Sequence, residues 1–281
     1  MAKRLGVLLE NLKLMARETD IAKMTESKYT RVLKPIAPRK PLKSPLIIGF
    51  DSEWNPVTGQ LISIQFAIAK KGEMFSKVYY CNELSARSLL EHVLKFLGEA
   101  QVETAGLKRV RIYLIAHFSQ SEIGKITDYL KEFKLRVYNK AMSAEMSLGA
   151  LEDQEYDYEV HQKPAFTAGK YSLKILDLYG YFPRELKAVG ELVSLPKIEL
   201  DRSQIHIIRE RDPELFERYA ERDAEICVLA FNQLRELFLK EFEIDILYYP
   251  TTAGLAGTIF RQSFLKEPIA PNRRVVKPYN R

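Results

Sequence analysis

The sequence predicts an α/β protein built on a mixed sheet with helices on both faces. Of the 281 residues, 46% are hydrophobic and 28% are charged, which is typical of globular proteins. Three β-rich segments follow one another with hairpin-length connections, and later β segments alternate with helical patterns. This order predicts a sheet whose first three strands are antiparallel.

The first half of the chain divides into elements at clear breakpoints. Residues 1–45 are predicted to be a basic helical arm and a linker, which the prolines of PIAPRKPLKSP keep extended. The three antiparallel strands are LIIGFDSEW, LISIQFAIA and MFSKVYYC. A helix, SARSLLEHVLKFLGEA, then leads to a fourth strand, VRIYLIAHF, and a second helix, SQSEIGKITDYLKEF.

The second half ends in the strongest helix signal. Residues 136–172 are predicted to be an insertion or a β-hairpin, followed by the strand KYSLKILDLYG and the helix RELKAVGELVS. Asp212 as N-cap, Pro213 as first residue and Glu214 in the first turn predict a helix that runs to about residue 242. We expect one domain over 46–245 and a basic extension over 246–281.

Composition excludes several classes of protein. No apolar run approaches the roughly 20 residues that span a bilayer, and the N-terminus lacks the pattern of a signal peptide. We therefore expect an intracellular, cytoplasmic protein without a membrane partner. The two cysteines, Cys81 and Cys227, have no metal-binding spacing, so a thiol-based site is not expected.

Charge is distributed unevenly along the chain. Residues 1–45 carry 11 Lys and Arg against 4 Asp and Glu, and residues 261–281 carry 6 against 1. The total of 43 basic and 37 acidic residues then leaves 26 against 32 in the middle. An acidic body with basic ends suits a protein that holds cations centrally and a polyanion at its margins, although solvated tails have the same composition.

Two acids stand at the end of the first predicted strand. Asp51 and Glu53 are two residues apart, so both side chains leave the same face of a strand that begins as an apolar run. Unpaired carboxylates there would cost several kcal/mol, and a divalent metal is the usual remedy. The alternative is that the strand has already opened into solvent at Asp51.

Two further acids extend this pattern. Asp223 lies within the apolar stripe of the last helix, and Tyr219 precedes it by one turn, so the two side chains project together. By itself, Tyr219 would be an ordinary core tyrosine. Glu122 follows the fourth strand, where sheets commonly present site residues, although a first-turn acid is also favoured by the helix dipole.

These residues resemble the three motifs of the DEDD superfamily of 3′-5′ exonucleases, which has an RNase H-like fold. The motifs are Asp51-Ser52-Glu53, the segment HFSQSE ending at Glu122, and the Tyr-x-x-x-Asp form from Tyr219 to Asp223. The proofreading domain of family B DNA polymerases, of the protein-primed, plasmid or viral kind, is the nearest resemblance. Such domains carry a Lys-x-x-hydrophobic motif, which Lys197 to Leu200 fits.

The resemblance implies two metal ions, Mg²⁺ or Mn²⁺. Asp51, Glu53 and Asp223 would hold the ion near the attacking water, and Asp51 with Glu122 would hold the second. Tyr219 would orient the water, and Lys197 would offset charge on the scissile phosphate. Lys197 is otherwise an exposed loop lysine.

The implied partner is the 3′ end of single-stranded DNA. Trp54 and Phe118, each beside a carboxylate motif, are candidates for stacking on bases, although both are also typical core residues. Arg273, Arg274 and Lys277 are candidates for phosphate contacts. The resemblance also implies a polymerase domain or subunit, since the segment after residue 246 looks like the link to one.

Two departures from the family keep alternatives open. Glu122 stands where the family has an aspartate, and the aspartate-rich polymerase motifs are absent. The protein is therefore predicted to be a two-metal 3′-5′ exonuclease, free-standing or part of a split or truncated polymerase. One alternative is a weak or inactive module that binds single strands or a polymerase. The other is an RNase H-like endonuclease, which would not need Tyr219.

Overall fold

A computed structural model describes residues 33–118, 126, 165–168, 170–249 and 252–269. The chain divides into two compact units. One is Arg39–Leu255, and the other joins Met1–Pro38 to Ala256–Arg281. In the described part of the second unit, Leu33 and Ile269 form an antiparallel bridge, and Arg261 Nε donates a hydrogen bond to the Lys34 carbonyl at 2.9 Å.

The Arg39–Leu255 unit contains a mixed sheet. Its strands, in chain order, are β1 (Leu46–Trp54), β2 (Leu61–Lys70), β3 (Glu73–Tyr80), β4 (Val110–Ala116), β5 (Ala165–Ala168) and β6 (Tyr171–Asp177). The strands lie in the order β3-β2-β1-β4-β6-β5. β1, β2 and β3 pair antiparallel, β1 with β4 and β4 with β6 pair parallel, and β5 returns antiparallel to β6. The predicted mixed sheet with three antiparallel strands first is confirmed.

Five α-helices accompany the sheet in the described part of the chain. They are α1 (Ala86–Glu99), α2 (Leu186–Leu192), α3 (Ile205–Arg211), α4 (Pro213–Phe242) and α5 (Thr252–Ile259). α4 begins as predicted, because the Asp212 side chain accepts a hydrogen bond from the Leu215 amide at 2.9 Å. Ser85 caps α1 through a capping box with Ser88.

Helices pack against both faces of the sheet. On one face, α1 packs Phe96 and its neighbours against Phe50 and Phe66, which are fully buried. On the other face, α4 packs Phe216 and Tyr219 against Ile62 of β2. Successive residues of β1 point to opposite faces. Even-numbered residues of this strand therefore enter the α1 core, and odd-numbered residues face α4.

Gly49 allows α4 to lie directly on β1. A Cβ atom placed on Gly49 would lie 1.8 Å from the carbonyl oxygen of Ala224, closer than any real contact. Only a residue without a side chain permits this approach. Since Asp51 follows Gly49 on the same face and Asp223 precedes Ala224, the contact brings the two carboxylates together.

Several helices and strands differ from the prediction, and others lie outside the residues that the structure describes. α3 and the 3₁₀ turn Arg202–Gln204 were not predicted, because polar residues interrupt their apolar pattern. Most of 136–172 lies outside the described residues, and at its end β5 pairs antiparallel with β6. The predicted N-terminal helix and most of SQSEIGKITDYLKEF lie outside the described residues; of the latter, Ile126 forms an isolated bridge with Leu84. Among the described helices, none combines the length and apolar character that crossing a membrane requires.

Candidate metal site

Three carboxylates converge where β1 ends beside α4. Asp51, Glu53 and Asp223 each place one carboxylate oxygen so that all three oxygens lie within 4.8 Å of one another. Asp51 and Glu53 are partly buried, and Asp223 is buried at 3% exposure. The strand has not opened into solvent at Asp51, because residues 49–53 still pair with β2. The predicted proximity of these acids is therefore observed.

The cluster lies in an open cleft of about 950 Å³. Acidic and aromatic side chains share this cleft with several lysine and arginine side chains. The cleft is lined by residues of β1, of the turns after β4 and β6, of α2 and α4, and of the segment before α3; among them are Asp51, Glu53, Trp54, His117, Phe118, Tyr179, Arg184, Lys187, Lys197, Arg202, Tyr219 and Asp223. A cleft of this size is in the range of ligand-binding sites.

Asp51 is held by its neighbour across the sheet. Gln65 lies opposite it on β2 and donates from Nε2 to Asp51 Oδ2 at 2.7 Å. Ser63 donates to Gln65 Oε1 at 3.3 Å, which turns the amide N–H₂ toward the carboxylate. Burial and the charge of Asp223 raise the pKa of Asp51 to about 7, against the opposing effects of Lys197, Gln65 and Arg202.

The carboxylate of Asp223 is only partly hydrogen-bonded by the residues that the structure describes. Lys197 Nζ donates a hydrogen bond to Asp223 Oδ2, with the two side chains 10% and 4% exposed. Asp223 Oδ1 is buried and has no hydrogen-bond partner among the described residues. Burial raises the pKa of Asp223, although Lys197 and Arg202 act against the rise. An unpartnered carboxylate oxygen in such a cluster is a position where a cation would be stabilised.

Tyr219 forms the floor beside the acids. Its side chain is 1% exposed, and the ammonium of Lys197 lies 4.7 Å from the centre of its ring. Burial and the charges of Glu53 and Asp223 raise the pKa of Tyr219, so its hydroxyl stays protonated. Arg202 opposes that rise through its own positive charge. Tyr219 can thus donate or accept a hydrogen bond at the edge of the cluster.

The donor set fits a hard divalent cation. All the candidate ligand atoms are carboxylate oxygens, which Mg²⁺ and Mn²⁺ prefer, and the cluster lacks thiolates and imidazoles. The free Oδ1 of Asp223 and the raised pKa values of Asp51 and Asp223 both indicate negative charge that the protein alone does not satisfy. Asp51, Glu53 and Asp223 would hold the ion.

Phe118 and Tyr179 form an aromatic wall of the cleft. Phe118 and Tyr179 are 49% and 40% exposed, and their rings meet edge to face at 5.7 Å between centroids. Asp177 at the end of β6 fixes both, because its Oδ1 accepts from the Phe118 amide at 3.0 Å and the Tyr179 amide at 2.9 Å. Phe118 adopts φ +61°, in the left-handed region that non-glycine residues seldom occupy. The backbone that carries its ring is therefore a specific turn.

The other predicted site residues have different placements. Trp54 lines the cleft, but it also packs against the α1 core and donates from Nε1 to Ser52 Oγ at 2.7 Å. Lys197 lies in the cleft and contacts the cluster, so it is not an exposed loop lysine. Four predicted residues lie outside the described part of the chain: Glu122, Arg273, Arg274 and Lys277.

Sequence reasoning missed Gln65, Tyr179 and Arg202, which support or line this site. Gln65 was detectable, because a glutamine in the apolar strand LISIQFAIA must find a partner when buried. Tyr179 follows β6 at the same sheet edge as the second motif and could have been expected there. Arg202 gave no signal, because it lies in a turn whose position depends on how α3 packs.

Comparison with known proteins adds no family to this geometry: no protein-family model matches the chain, and no curated protein matches it.

Proposed function

We propose that this protein is a metal-dependent 3′-5′ exonuclease that removes nucleotides from single-stranded DNA, on an RNase H-like fold of the DEDD type. The observation that carries the proposal is the convergence of Asp51, Glu53 and Asp223 within 4.8 Å, beside Tyr219 one helical turn before Asp223. The protein would act alone or as the proofreading part of a split or truncated family B DNA polymerase.

The chemistry assigned to the chain's own residues follows from their positions. Bound Mg²⁺ or Mn²⁺ would supply Lewis-acid stabilisation of charge on the phosphate. Asp51, Glu53 and Asp223 would bind the ion, and the resemblance to the DEDD superfamily assigns Glu122 to a second one. Tyr219 orients the attacking water by hydrogen bonding, because its hydroxyl remains protonated beside the acids. The products would be nucleoside 5′-monophosphates.

The cleft supports a single strand as the ligand. The exposed rings of Phe118 and Tyr179 offer stacking surfaces in the same cleft as the carboxylates, and the bases of a single strand are free to leave their neighbours and stack on such rings. Trp54 adds an aromatic edge beside the first motif. Arg202 lies along the same cleft, where its guanidinium can meet a backbone phosphate.

One observation favours the binding module as a second candidate. Lys197 pairs with Asp223, and Arg202 also acts on the cluster's charge, so protein cations already offset part of it. A cluster balanced in this way would hold a strand through Arg202 and the aromatic wall without needing to cleave it. The two candidates therefore differ in whether strand binding is accompanied by hydrolysis.

The test is cleavage of 5′-labelled single-stranded DNA with Mg²⁺ or Mn²⁺. We expect a ladder that shortens from the 3′ end, and a loss on the order of 10³-fold in Asp51→Asn and Asp223→Asn. Tyr219→Phe should retain more activity than either. Glu221→Gln is the matched control, because this acid lies on the same helix but contacts Ser76 on another side.

Three results would reject the proposal in different ways. Strand binding without any ladder would favour the binding module. Cleavage of a circular single strand would indicate an endonuclease. Equal activity in the wild type and in both aspartate variants would remove the carboxylate cluster from the reaction. An RNA strand of the same sequence, run in parallel, determines which nucleic acid is preferred.

A further inference from the structure

Lys197 forms an ion pair with the carboxylate cluster through Asp223. Its ammonium donates to Asp223 Oδ2, lies over the Tyr219 ring and is almost as buried as Asp223 itself. A buried ammonium placed this way is stabilised mainly by Asp223. Its positive charge also acts on Asp51, so it offsets part of the negative charge of the cluster.

A divalent cation would compete for the same charge. Asp223 offers one oxygen to Lys197, and its other oxygen has no hydrogen-bond partner in the part of the chain that the structure describes. Two cations at one carboxylate repel each other strongly where water is largely excluded. Binding of a metal ion at Asp51, Glu53 and Asp223 is thus opposed for as long as Lys197 remains paired.

The local structure permits the Lys197 side chain to leave while its backbone stays. Gly190 lets the segment before Lys197 lie against α2, because a Cβ there would be 2.6 Å from the Leu195 carbonyl oxygen. Arg222 of α4 donates to the Pro196 carbonyl at 2.9 Å. The backbone is therefore fixed on two sides, whereas the four-carbon side chain is flexible and borders an open cleft.

We propose, building on the function proposed above, that Lys197 is an exchangeable counter-ion that couples metal binding to strand binding. Without metal, Lys197 neutralises Asp223. When the metal ion binds, the ion pair breaks, and the freed ammonium binds a phosphate of the strand in the cleft. Metal and strand therefore bind cooperatively, and Lys197 carries the coupling.

The first test is Mg²⁺ binding by calorimetry at pH 8 without nucleic acid. Lys197→Met keeps the length of the side chain and removes its charge, and we expect it to bind Mg²⁺ at least about tenfold more tightly than the wild type. Lys187→Met is the control, since Lys187 lines the same cleft but pairs with Glu199 at the surface. Equal or weaker Mg²⁺ binding by Lys197→Met would overturn the exchange.

The second test is the affinity for a fluorescent oligothymidylate in EDTA and in Ca²⁺. Lys197→Met should match the wild type in EDTA and bind about tenfold more weakly than the wild type in Ca²⁺, because the ammonium reaches the phosphate only when metal is bound. A similar weakening in both conditions would overturn the proposal.

The two proposals fail in different ways. Cooperative binding without strand cleavage would reject the exonuclease and leave the exchange of Lys197 standing. If the wild type cleaves the strand and Lys197→Met binds Mg²⁺ with unchanged affinity, the exonuclease proposal stands and the exchange of Lys197 is rejected. Absence of Mg²⁺ binding in the wild type and in Asp223→Asn alike would reject both.

Discussion

Two buried aspartates near α4 have opposite surroundings. Asp245, after the helix, is 1% exposed and receives four hydrogen bonds: two from Arg235, at 2.9 and 2.8 Å, and one each from the amides of Leu42 and Leu247. Asp223, within the helix, is 3% exposed and has Lys197 on one oxygen, while no residue in the described ranges hydrogen-bonds to the other. Both are buried acids, but only Asp245 is fully satisfied.

The pKa values of the two groups follow this difference. Burial by itself acts to raise the pKa of both carboxyls, and their hydrogen bonds and charged neighbours act against it. For Asp245, the hydrogen bonds and charge of Arg235 and the backbone amides outweigh burial, so its pKa lies below the ordinary value. For Asp223, Lys197 does not outweigh burial, and its pKa stays raised. Asp245 therefore stabilises the fold, whereas Asp223 keeps binding capacity at a cost in stability.

The largest effect is expected at the satisfied aspartate. Asp245→Ala leaves the guanidinium of Arg235 largely buried and unpaired, and it should lower the free energy of unfolding by about 3–5 kcal/mol. Urea unfolding followed by circular dichroism measures the loss. Asp245→Asn, which keeps the shape and some hydrogen bonds, should lose less. A loss below about 1 kcal/mol for Asp245→Ala is what an exposed salt bridge contributes, and it would contradict the view that Asp245 stabilises the fold.

Of the two aspartates compared, only Asp223 should contribute to stabilisation of the protein by metal. At a Mg²⁺ concentration of 100 times its Kd, the wild type should gain about 2.7 kcal/mol of stability, because only the folded state gathers the three carboxylates. Asp223→Asn should lose most of this gain, and EDTA should remove it from the wild type. Thermal unfolding with and without Mg²⁺ provides the measurement, and an equal gain in both proteins would contradict a role for Asp223.

A methyl group at Gly49 should disturb the cleft without touching Asp245. Gly49→Ala places a Cβ against the Ala224 carbonyl, and the strain should cost about 1–3 kcal/mol or more. The shift of α4 should also weaken Mg²⁺ binding, because Asp223 adjoins Ala224. Gly98→Ala is the control, since a Cβ there meets nothing within 4 Å. Unchanged stability and Mg²⁺ affinity in Gly49→Ala would show that the close approach is not required.

The smallest effect depends on pH. The pKa of Asp51 is about 7 in the folded protein and near 3.8 in the unfolded chain, so the folded state binds more protons between these values. In EDTA, the wild type should therefore lose stability as pH rises from about 4 to about 7. Asp51→Asn should be about 1–2 kcal/mol more stable than the wild type at pH 8 and nearly equal to it at pH 4.

Urea unfolding at pH 4, 6 and 8 follows this difference. Asp245 has the opposite sign, because its lowered pKa gives stability that is lost only as pH falls through the folded value. Parallel pH profiles for the wild type and Asp51→Asn would contradict the raised pKa of Asp51.

Local sequence rules determined the elements that carry the acids. Period-two alternation placed Asp51 and Glu53 on one face of β1, and the apolar stripe placed Asp223 and Tyr219 on the buried face of α4. The N-cap at Asp212 and the proline after it located the start of α4. These features depend on residues a few positions apart, which is the range over which sequence patterns act.

Only the tertiary structure decided how the elements meet. The partners of the acids come from distant segments: Gln65 from β2, Lys197 from the segment after α2, and Arg202 from a turn before α3. Asp245 meets Leu42 across 203 residues of sequence. Contacts at such separations depend on packing, and the contact of Gly49 with Ala224 is the step that converts separate acids into one cluster.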